Sequence, residues 1–275
     1  MKLKNMSFLP VLLVILFSFQ IRMFSQEKIP GINPFFLNNY WPAKWISHPS
    51  ADLKDYGVYH FRKVIEVANV PGTFLIHVTA DNRYRLFING TPVCFGPARS
   101  DLNHWNYETV DIAGFLKPGK NLLAVVVWNF GDLAPVAQIT KKTAFLLQGN
   151  TEAERVVNTD NTWKVIQNEA YSAIPPDHAK LHSYIVVGPG DKVKGELYPW
   201  DWQEISYDDS KWLNAMELGN GRAKGLGTGA DWDLVPRDIP MMEETTQRFG
   251  SIRRHEGCNP GQLFLEGQEV LTIQA

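Results

Sequence analysis

The sequence has little cysteine and little net charge, and these two shortages exclude several classes of protein. Only Cys94 and Cys258 occur among 275 residues, so a disulfide framework is not expected and we predict two separate thiols. The formal net charge is -2, which gives no electrostatic basis for binding nucleic acid. The content of 44% hydrophobic residues is typical of a folded globular protein.

Motifs for common catalytic and cofactor sites are also missing. No Gly-x-Ser-x-Gly elbow occurs. Residues 219–229 are dense in glycine, but Lys224 precedes Gly225, whereas in a phosphate loop the lysine follows the last glycine. His178 and His182 have no third ligand at an informative spacing. The carboxylates mostly occupy turns and strand ends, where we predict structural roles. We therefore predict no metal, no cofactor and no catalytic residue in this chain.

An apolar run near the N-terminus is too short to span a bilayer comfortably. Residues 8–19 are almost unbroken in their apolar character and follow Lys2 and Lys4. This order is typical of a secretory signal peptide, whereas a membrane span needs about 20 residues. We predict cleavage near Ser25 and a periplasmic or extracellular protein. The alternative is a retained segment, which would bring the protein to a membrane.

Short strand-like segments separated by turn residues fill most of the remaining sequence. Asn89-Gly90 stands between two apolar runs, which is the strongest short-range signal for a β-hairpin. Residues 121–128 are apolar on both faces and predict a central strand between packed layers. We predict an all-β sandwich of jelly-roll type. Residues 173–209 are rich in Pro, Gly and Asp, and indicate a long irregular excursion from that sandwich or, alternatively, a linker.

Two segments that combine aromatic and polar residues are candidates for carbohydrate contact. Indole rings can stack on the C–H faces of sugars, while planar Asn, Asp and Arg side chains can bind sugar hydroxyls. The candidates are Arg99, Asp101, His104, Trp105 and Asn106 in one segment, and Trp200, Asp201 and Trp202 in the other. The alternative interpretation is that these rings cover the ends of the sandwich.

Seven segments together resemble the N-terminal region of bacterial α-L-rhamnosidases. They are residues 80–90 (ADNRYRLFING), 96–101 (GPARSD), 104–112 (HWNYETVDI), 119–124 (GKNLLA), 127–131 (VWNFG), 134–138 (APVAQ) and 234–243 (LVPRDIPMME). The resemblance extends from about Trp41 to Glu243. It implies a non-catalytic β-sandwich of galactose-binding-like type. It also implies that the catalytic carboxylates of the family lie in a later helical toroid, which is absent from this sequence.

We accordingly expect a signal peptide at residues 1–25, a lead-in at 26–40, the sandwich at 41–243, and the first strands of an incomplete second β domain at 244–275. The expected function is that of the exported front portion of an α-L-rhamnosidase-like glycoside hydrolase, inactive alone, which acts as scaffold and contacts sugar. The implied partners are a rhamnose-containing glycan and the remaining domains of the parent enzyme. The alternatives are a free-standing carbohydrate-binding module and a protein-interaction domain.

Overall fold

A computed structural model of the chain describes residues 31–182 and 187–245, together with two short strands at 251–252 and 272–273. The predicted signal peptide lies outside the described residues, as do Cys258 and most of residues 244–275. The chain divides into two compact units, Met1–Arg237 and Asp238–Ala275. Within the described residues, no helix has both the length and the apolar character needed to cross a membrane.

Strands dominate the regular structure of the first unit. In chain order they are β1 (Tyr40–Ser47), β2 (Gly57–Val67), β3 (Leu75–Asp81), β4 (Arg83–Ile88), β5 (Thr91–Gly96), β6 (Trp105–Asp111), β7 (Gly119–Asn129), β8 (Ala144–Gly149), β9 (Lys164–Gln167), β10 (Tyr171–Ile174), β11 (Gly190–Val193), β12 (Leu213–Asn214), β13 (Met216–Ala223) and β14 (Asp233–Pro236). The described residues of this unit also form one α-helical turn, α1 (His178–Leu181), and short 3₁₀ helices at Pro34–Leu37, Leu102–His104, Ala113–Phe115, Gly131–Leu133, Arg155–Val157 and Gly195–Leu197. In the second unit, β15 (Ser251–Ile252) and β16 (Thr272–Ile273) pair in parallel.

Most strands of the first unit belong to two six-stranded layers. The first layer has the order β1-β13-β14-β6-β3-β8 and closes into a barrel, because Ile46 of β1 pairs with Phe145 of β8. The second layer has the order β12-β9-β2-β7-β4-β5, and the antiparallel pair of β2 and β7 forms its centre. The predicted all-β sandwich is therefore confirmed. The closure of one layer into a barrel was not predicted.

The turn between β4 and β5 forms at the predicted Asn-Gly pair. Asn89 has a φ of 50° and Gly90 a φ of 80°, the positive values that a tight primed turn requires. The Asn89 side chain also binds β7, since its Oδ1 accepts from the N–H of Leu122 at 3.0 Å and its Nδ2 donates to Asn121 Oδ1 at 2.9 Å. The hairpin is thus fixed by its own backbone preference and by the neighbouring strand.

In the described part of the first unit, three apolar clusters stabilise the fold: one between the layers, one inside the barrel and one on the outer face of the second layer. Their members include Phe61, Val78, Leu86, Val125, Val127 and Phe145 between the layers, Trp41, Trp45, Trp105, Tyr107 and Trp232 in the barrel, and Leu122, Ala124, Trp202 and Trp212 on the outer face. Successive residues of β7 therefore serve two clusters in turn. This arrangement confirms the prediction of a central strand that is apolar on both faces.

The described part of residues 173–209 covers the outer face of the second layer. β10 and β11 form a two-stranded hairpin in register from Tyr171–Val193 to Ile174–Gly190. Farther along the chain, Trp202 packs against the cluster that contains Leu122 and Ala124 of β7. The segment is therefore an excursion that packs on the sandwich, as predicted, and the linker interpretation is wrong.

Candidate binding site

Three of the predicted sugar-contacting residues lie exposed on the connection between β5 and β6. The connection contains the 3₁₀ helix Leu102–His104, which Asp101 caps by accepting a hydrogen bond from the N–H of Asn103 at 2.7 Å. Arg99, Asp101 and His104 are exposed to solvent. A ligand that approaches this end of the sandwich can therefore reach all three side chains.

Asp101 and His104 form a polar cluster with Lys224, which follows β13. His104 Nδ1 lies 3.2 Å from Asp101 Oδ1, and this hydrogen bond holds the pKa of Asp101 below its usual range. When Nδ1 carries the proton, Nε2 is free to accept from the Lys224 ammonium, whose Nζ lies 2.6 Å away. We call these three residues the Asp101–His104–Lys224 cluster. It offers an acceptor and a donor side by side, which are the two functions that a sugar hydroxyl uses.

Asn106 is half-buried and holds the connection in place. Its N–H donates to Ser100 Oγ at 3.2 Å, and its Nδ2 donates to the carbonyl oxygen of Ala98 at 3.3 Å. Its own carbonyl oxygen accepts from Thr79 Oγ1 at 2.7 Å. These contacts make Asn106 a positioning residue for the connection, and its contact with sugar stays a prediction.

Trp105 and Trp202 do not present their rings to solvent. Trp105 is 3% exposed inside the barrel. Trp202 is 2% exposed, and its ring centroid lies 4.1 Å from that of His60, which is itself buried. A ring needs a free face to stack on a sugar, so neither ring can stack on one, and any other contact of these two residues with sugar stays a prediction. Their burial fits the alternative interpretation, in which the rings serve packing.

Trp200 is the exposed ring of the second candidate segment, with 66% of its surface accessible. Its Nε1 donates to the carbonyl oxygen of Gly195 at 2.9 Å, and the Tyr198 ring lies 4.8 Å away between centroids. The neighbouring Asp201 is exposed and adopts a φ of 61°. Among the described residues, no recorded hydrogen bond or ring contact joins this segment to the β5–β6 connection. The two candidate groups are therefore separate.

A small pocket borders the β5–β6 connection, and we call it the Arg83–Arg99 pocket. Its volume is about 10 Å³, room for one water-sized group. Its lining includes Arg83, Arg99, Trp105 and Gln138. Arg83 and Gln138 were not predicted as site residues, because nothing in the sequence around either residue links it to residues 96–106.

The buried carboxylate of Glu108 anchors the chain beside this pocket. Its Oε2 accepts from the Tyr84 hydroxyl at 2.7 Å, and its Oε1 accepts from the N–H of Ala98 at 2.9 Å and from Arg237 Nη1 at 3.1 Å. Burial raises the pKa of Glu108, while these three donors act in the opposite direction. A carboxylate engaged on both oxygens fits the structural role predicted for the carboxylates of this chain.

The profile of the alpha-L-rhamnosidase N-terminal domain family matches residues 71–225, from before β3 to beyond β13. The chain belongs to this family. The resemblance carried by the seven sequence segments is thereby confirmed. No curated protein sequence matches this rhamnosidase sandwich at a significant level.

Solved rhamnosidase structures contain a similar fold. A GH78 family rhamnosidase of Bacillus sp. GL1 matches with a TM-score of 0.63 and 28% identity over 74% of this chain. α-L-Rhamnosidases from Dictyoglumus thermophilum and Aspergillus terreus match with TM-scores of 0.52 and 0.50, at 16% and 18% identity over 73% and 65% of this chain, and show the fold alone. The chain spans about a fifth of these proteins: 20%, 23% and 21% of their lengths in that order. The chain therefore corresponds to the N-terminal domain of these enzymes.

Proposed function

We propose that this sandwich is the front portion of an exported enzyme whose complete polypeptide hydrolyses terminal α-L-rhamnosides. The observation that carries the proposal is the family match over residues 71–225, which includes eleven strands from β3 to β13. The catalytic carboxylates then lie in parts of the enzyme outside this chain. Those parts are also the expected protein partners of the sandwich.

Export is part of the proposal. The support is the sequence order of Lys2 and Lys4, an apolar run at residues 8–19 and a polar stretch from Ser25. The mature protein then works in the periplasm or outside the cell, where glycans are accessible. N-terminal sequencing of the secreted protein tests this point: a start near residue 26 supports it, and an intact Met1 in the cytoplasmic fraction contradicts it.

Within the enzyme, the sandwich acts as a scaffold and contacts carbohydrate. The exposed Asp101–His104–Lys224 cluster, the exposed guanidinium of Arg99 and the Trp200 ring support this role, because they combine hydrogen-bonding groups with a stacking surface. The ligand that the family suggests is a rhamnose-containing glycan. The same features favour a second candidate function, that of a carbohydrate-binding module that works without a catalytic partner.

The test of the enzyme proposal is to extend the polypeptide beyond Ala275 along its reading frame and to assay the product on an aryl α-L-rhamnoside. We expect hydrolysis by the extended polypeptide. An extension that encodes no further glycosidase domain, or one that folds and leaves the substrate intact, would contradict the enzyme proposal. Binding of rhamnose-containing glycans by such a chain would then favour the free-standing module.

A further inference from the structure

Two residues that line the Arg83–Arg99 pocket each carry a hydrogen-bond donor that has no acceptor among the described residues. Trp105 and Gln138 are both more than nine-tenths buried and both line the pocket. Trp105 Nε1 and Gln138 Nε2 find no hydrogen-bond partner within the described part of the chain. Because buried polar groups are normally paired, two unpaired N–H groups at one pocket indicate an acceptor that comes from outside the protein.

The pocket is also positively charged. Arg83 and Arg99 both line it, and no lining residue is acidic. Within the described residues, Arg99 has no recorded hydrogen bond or ion pair, while Arg83 donates to the carbonyl oxygen of Pro97. Burial, together with the nearby charge of Arg99, lowers the pKa of Arg83. An anion in the pocket would relieve this repulsion between two cations.

The neighbouring acid does not supply that anion. The Glu108 carboxylate already accepts hydrogen bonds on both oxygens, from the Tyr84 hydroxyl, the Ala98 N–H and the Arg237 guanidinium. It is also absent from the lining of the pocket. The guanidinium of Arg99 and the two unpaired N–H groups thus lack an acceptor of their own within the described residues.

We propose that the Arg83–Arg99 pocket receives the carboxylate of an acidic sugar residue, so that the sandwich prefers uronic-acid-containing glycans over neutral ones. The pocket volume of about 10 Å³ admits one oxygen atom, which the N–H groups of Trp105 and Gln138 can bind. The second oxygen stays at the mouth, where the exposed Arg99 pairs with it. The sugar ring remains outside, on the side of the β5–β6 connection that carries Asp101 and His104. This inference rests on the proposed carbohydrate contact and adds its chemical class.

The experiment is calorimetric titration of the full chain with an oligogalacturonide and with the same oligosaccharide after reduction of its carboxyl groups. We expect the acidic form to bind at least about tenfold more tightly, as one lost charged hydrogen bond implies. Arg99→Ala should remove about tenfold of that affinity. Arg155→Ala is the matched control, because it removes the same charge from an exposed pair with Glu152 and should leave binding unchanged.

A second variant separates pocket chemistry from general charge. Gln138→Leu removes one unpaired donor, keeps the net charge, and should weaken binding of the acidic glycan several-fold in a protein whose unfolding transition remains cooperative. Equal affinity for the acidic and reduced glycans would overturn the inference and leave sugar contact standing. If neither the acidic glycan nor the reduced glycan binds, and a neutral rhamnose-containing glycan does not bind either, the proposed sugar contact is overturned as well. If acetate or phosphate displaces the acidic glycan and binds with the same affinity as the glycan, the pocket binds anions in general, and this result would also overturn the inference.

Discussion

Arg62 of β2 donates a hydrogen bond from Nε to Oδ2 of Asp209 at 2.9 Å, and this ion pair joins the second layer to the end of the excursion. The Arg62 side chain is 1% exposed, whereas that of Asp209 is 28% exposed. The same guanidinium donates to the carbonyl oxygens of Trp202 and Glu204. One buried cation therefore satisfies several acceptors of the covering segment at once.

Replacement of that cation should loosen the excursion. We expect Arg62→Met to lower the free energy of unfolding by about 3 kcal/mol. Methionine fills much of the volume but removes the donor to the Asp209 carboxylate and to the carbonyl oxygens of Trp202 and Tyr207. Urea unfolding measures the change. Arg155→Met, which breaks an exposed pair with Glu152, is the control and should cost less than about 1 kcal/mol. Equal losses in the two variants would show that the Arg62 contacts do not hold the excursion.

Truncation of Trp202 should lower the free energy of unfolding far more than truncation of Trp200. Trp202→Ala removes a buried ring and should cost about 3–5 kcal/mol of unfolding free energy. Trp200→Ala removes an exposed ring and should change that free energy by less than about 1 kcal/mol. Thermal unfolding followed by circular dichroism compares them. A large loss of unfolding free energy for Trp200→Ala with no loss for Trp202→Ala would contradict the finding that Trp202 is buried and Trp200 exposed.

The carboxylate of Asp81 at the end of β3 should be a strong stability determinant. Its Oδ2 accepts from the N–H of Lys141 at 2.7 Å and from Trp232 Nε1 at 2.9 Å, so it joins a loop to the barrel. Asp81→Asn places an amide, which is itself a donor, among these donors, and should lower the free energy of unfolding in urea by about 2–4 kcal/mol. The exposed Asp132→Asn serves as control and should be nearly neutral, within about 0.5 kcal/mol. A neutral outcome at Asp81 would show that these bonds add no net stability.

Acid should destabilise the sandwich through its buried histidines. Burial lowers the pKa of His77 to about 4 and that of His60 to about 3. The folded state therefore keeps both neutral, while the unfolded chain binds protons below about pH 6.5. Stability that is fully present above pH 6.5 should be lost as the pH falls towards 4, by up to about 1.4 kcal/mol per pH unit for each histidine.

The contribution of His77 can be measured by comparing how steeply the free energy of unfolding changes with pH in the wild type and in variants. His77→Asn should flatten the fall of unfolding free energy between pH 6.5 and 4, whereas the exposed His178→Asn should leave that slope unchanged. Burial raises the pKa of Asp81 and of Glu108, and this raises the free energy of unfolding as the pH falls, opposite to the effect of the histidines. Because both carboxyl groups are present in each protein compared, their effect cancels in the comparison. Parallel slopes for the wild type and His77→Asn would contradict the assignment.

Local features of this fold could be predicted from sequence, and long-range ones could not. The Asn89-Gly90 hairpin was predictable because the turn conformation is a property of those two residues. The barrel was not, since it pairs Leu234 with Trp105 and closes by pairing Ile46 with Phe145, and the partners in each pair are far apart in the chain. Trp105 and Trp200 stand in similar polar-aromatic segments, yet only tertiary packing decides that one is buried and the other exposed.

The candidate site was predicted in part for the same reason. Arg99, Asp101 and His104 could be grouped from sequence because they are neighbours in it, and their contact with sugar stays a prediction. Lys224 and Gln138 were missed because each comes from a distant connection, and no pattern in the sequence places either of them beside residues 99–104. A site assembled from several loops becomes visible only when the sheet order is known.

The central proposal is that this rhamnosidase sandwich is a part of a glycosidase that does not hydrolyse rhamnosides by itself. The most direct measurement is the rate at which the purified chain, at high concentration, releases the aryl group from an aryl α-L-rhamnoside. The account predicts a rate equal to that of buffer. Release that scales with protein concentration and co-elutes with the folded chain on size exclusion would contradict it.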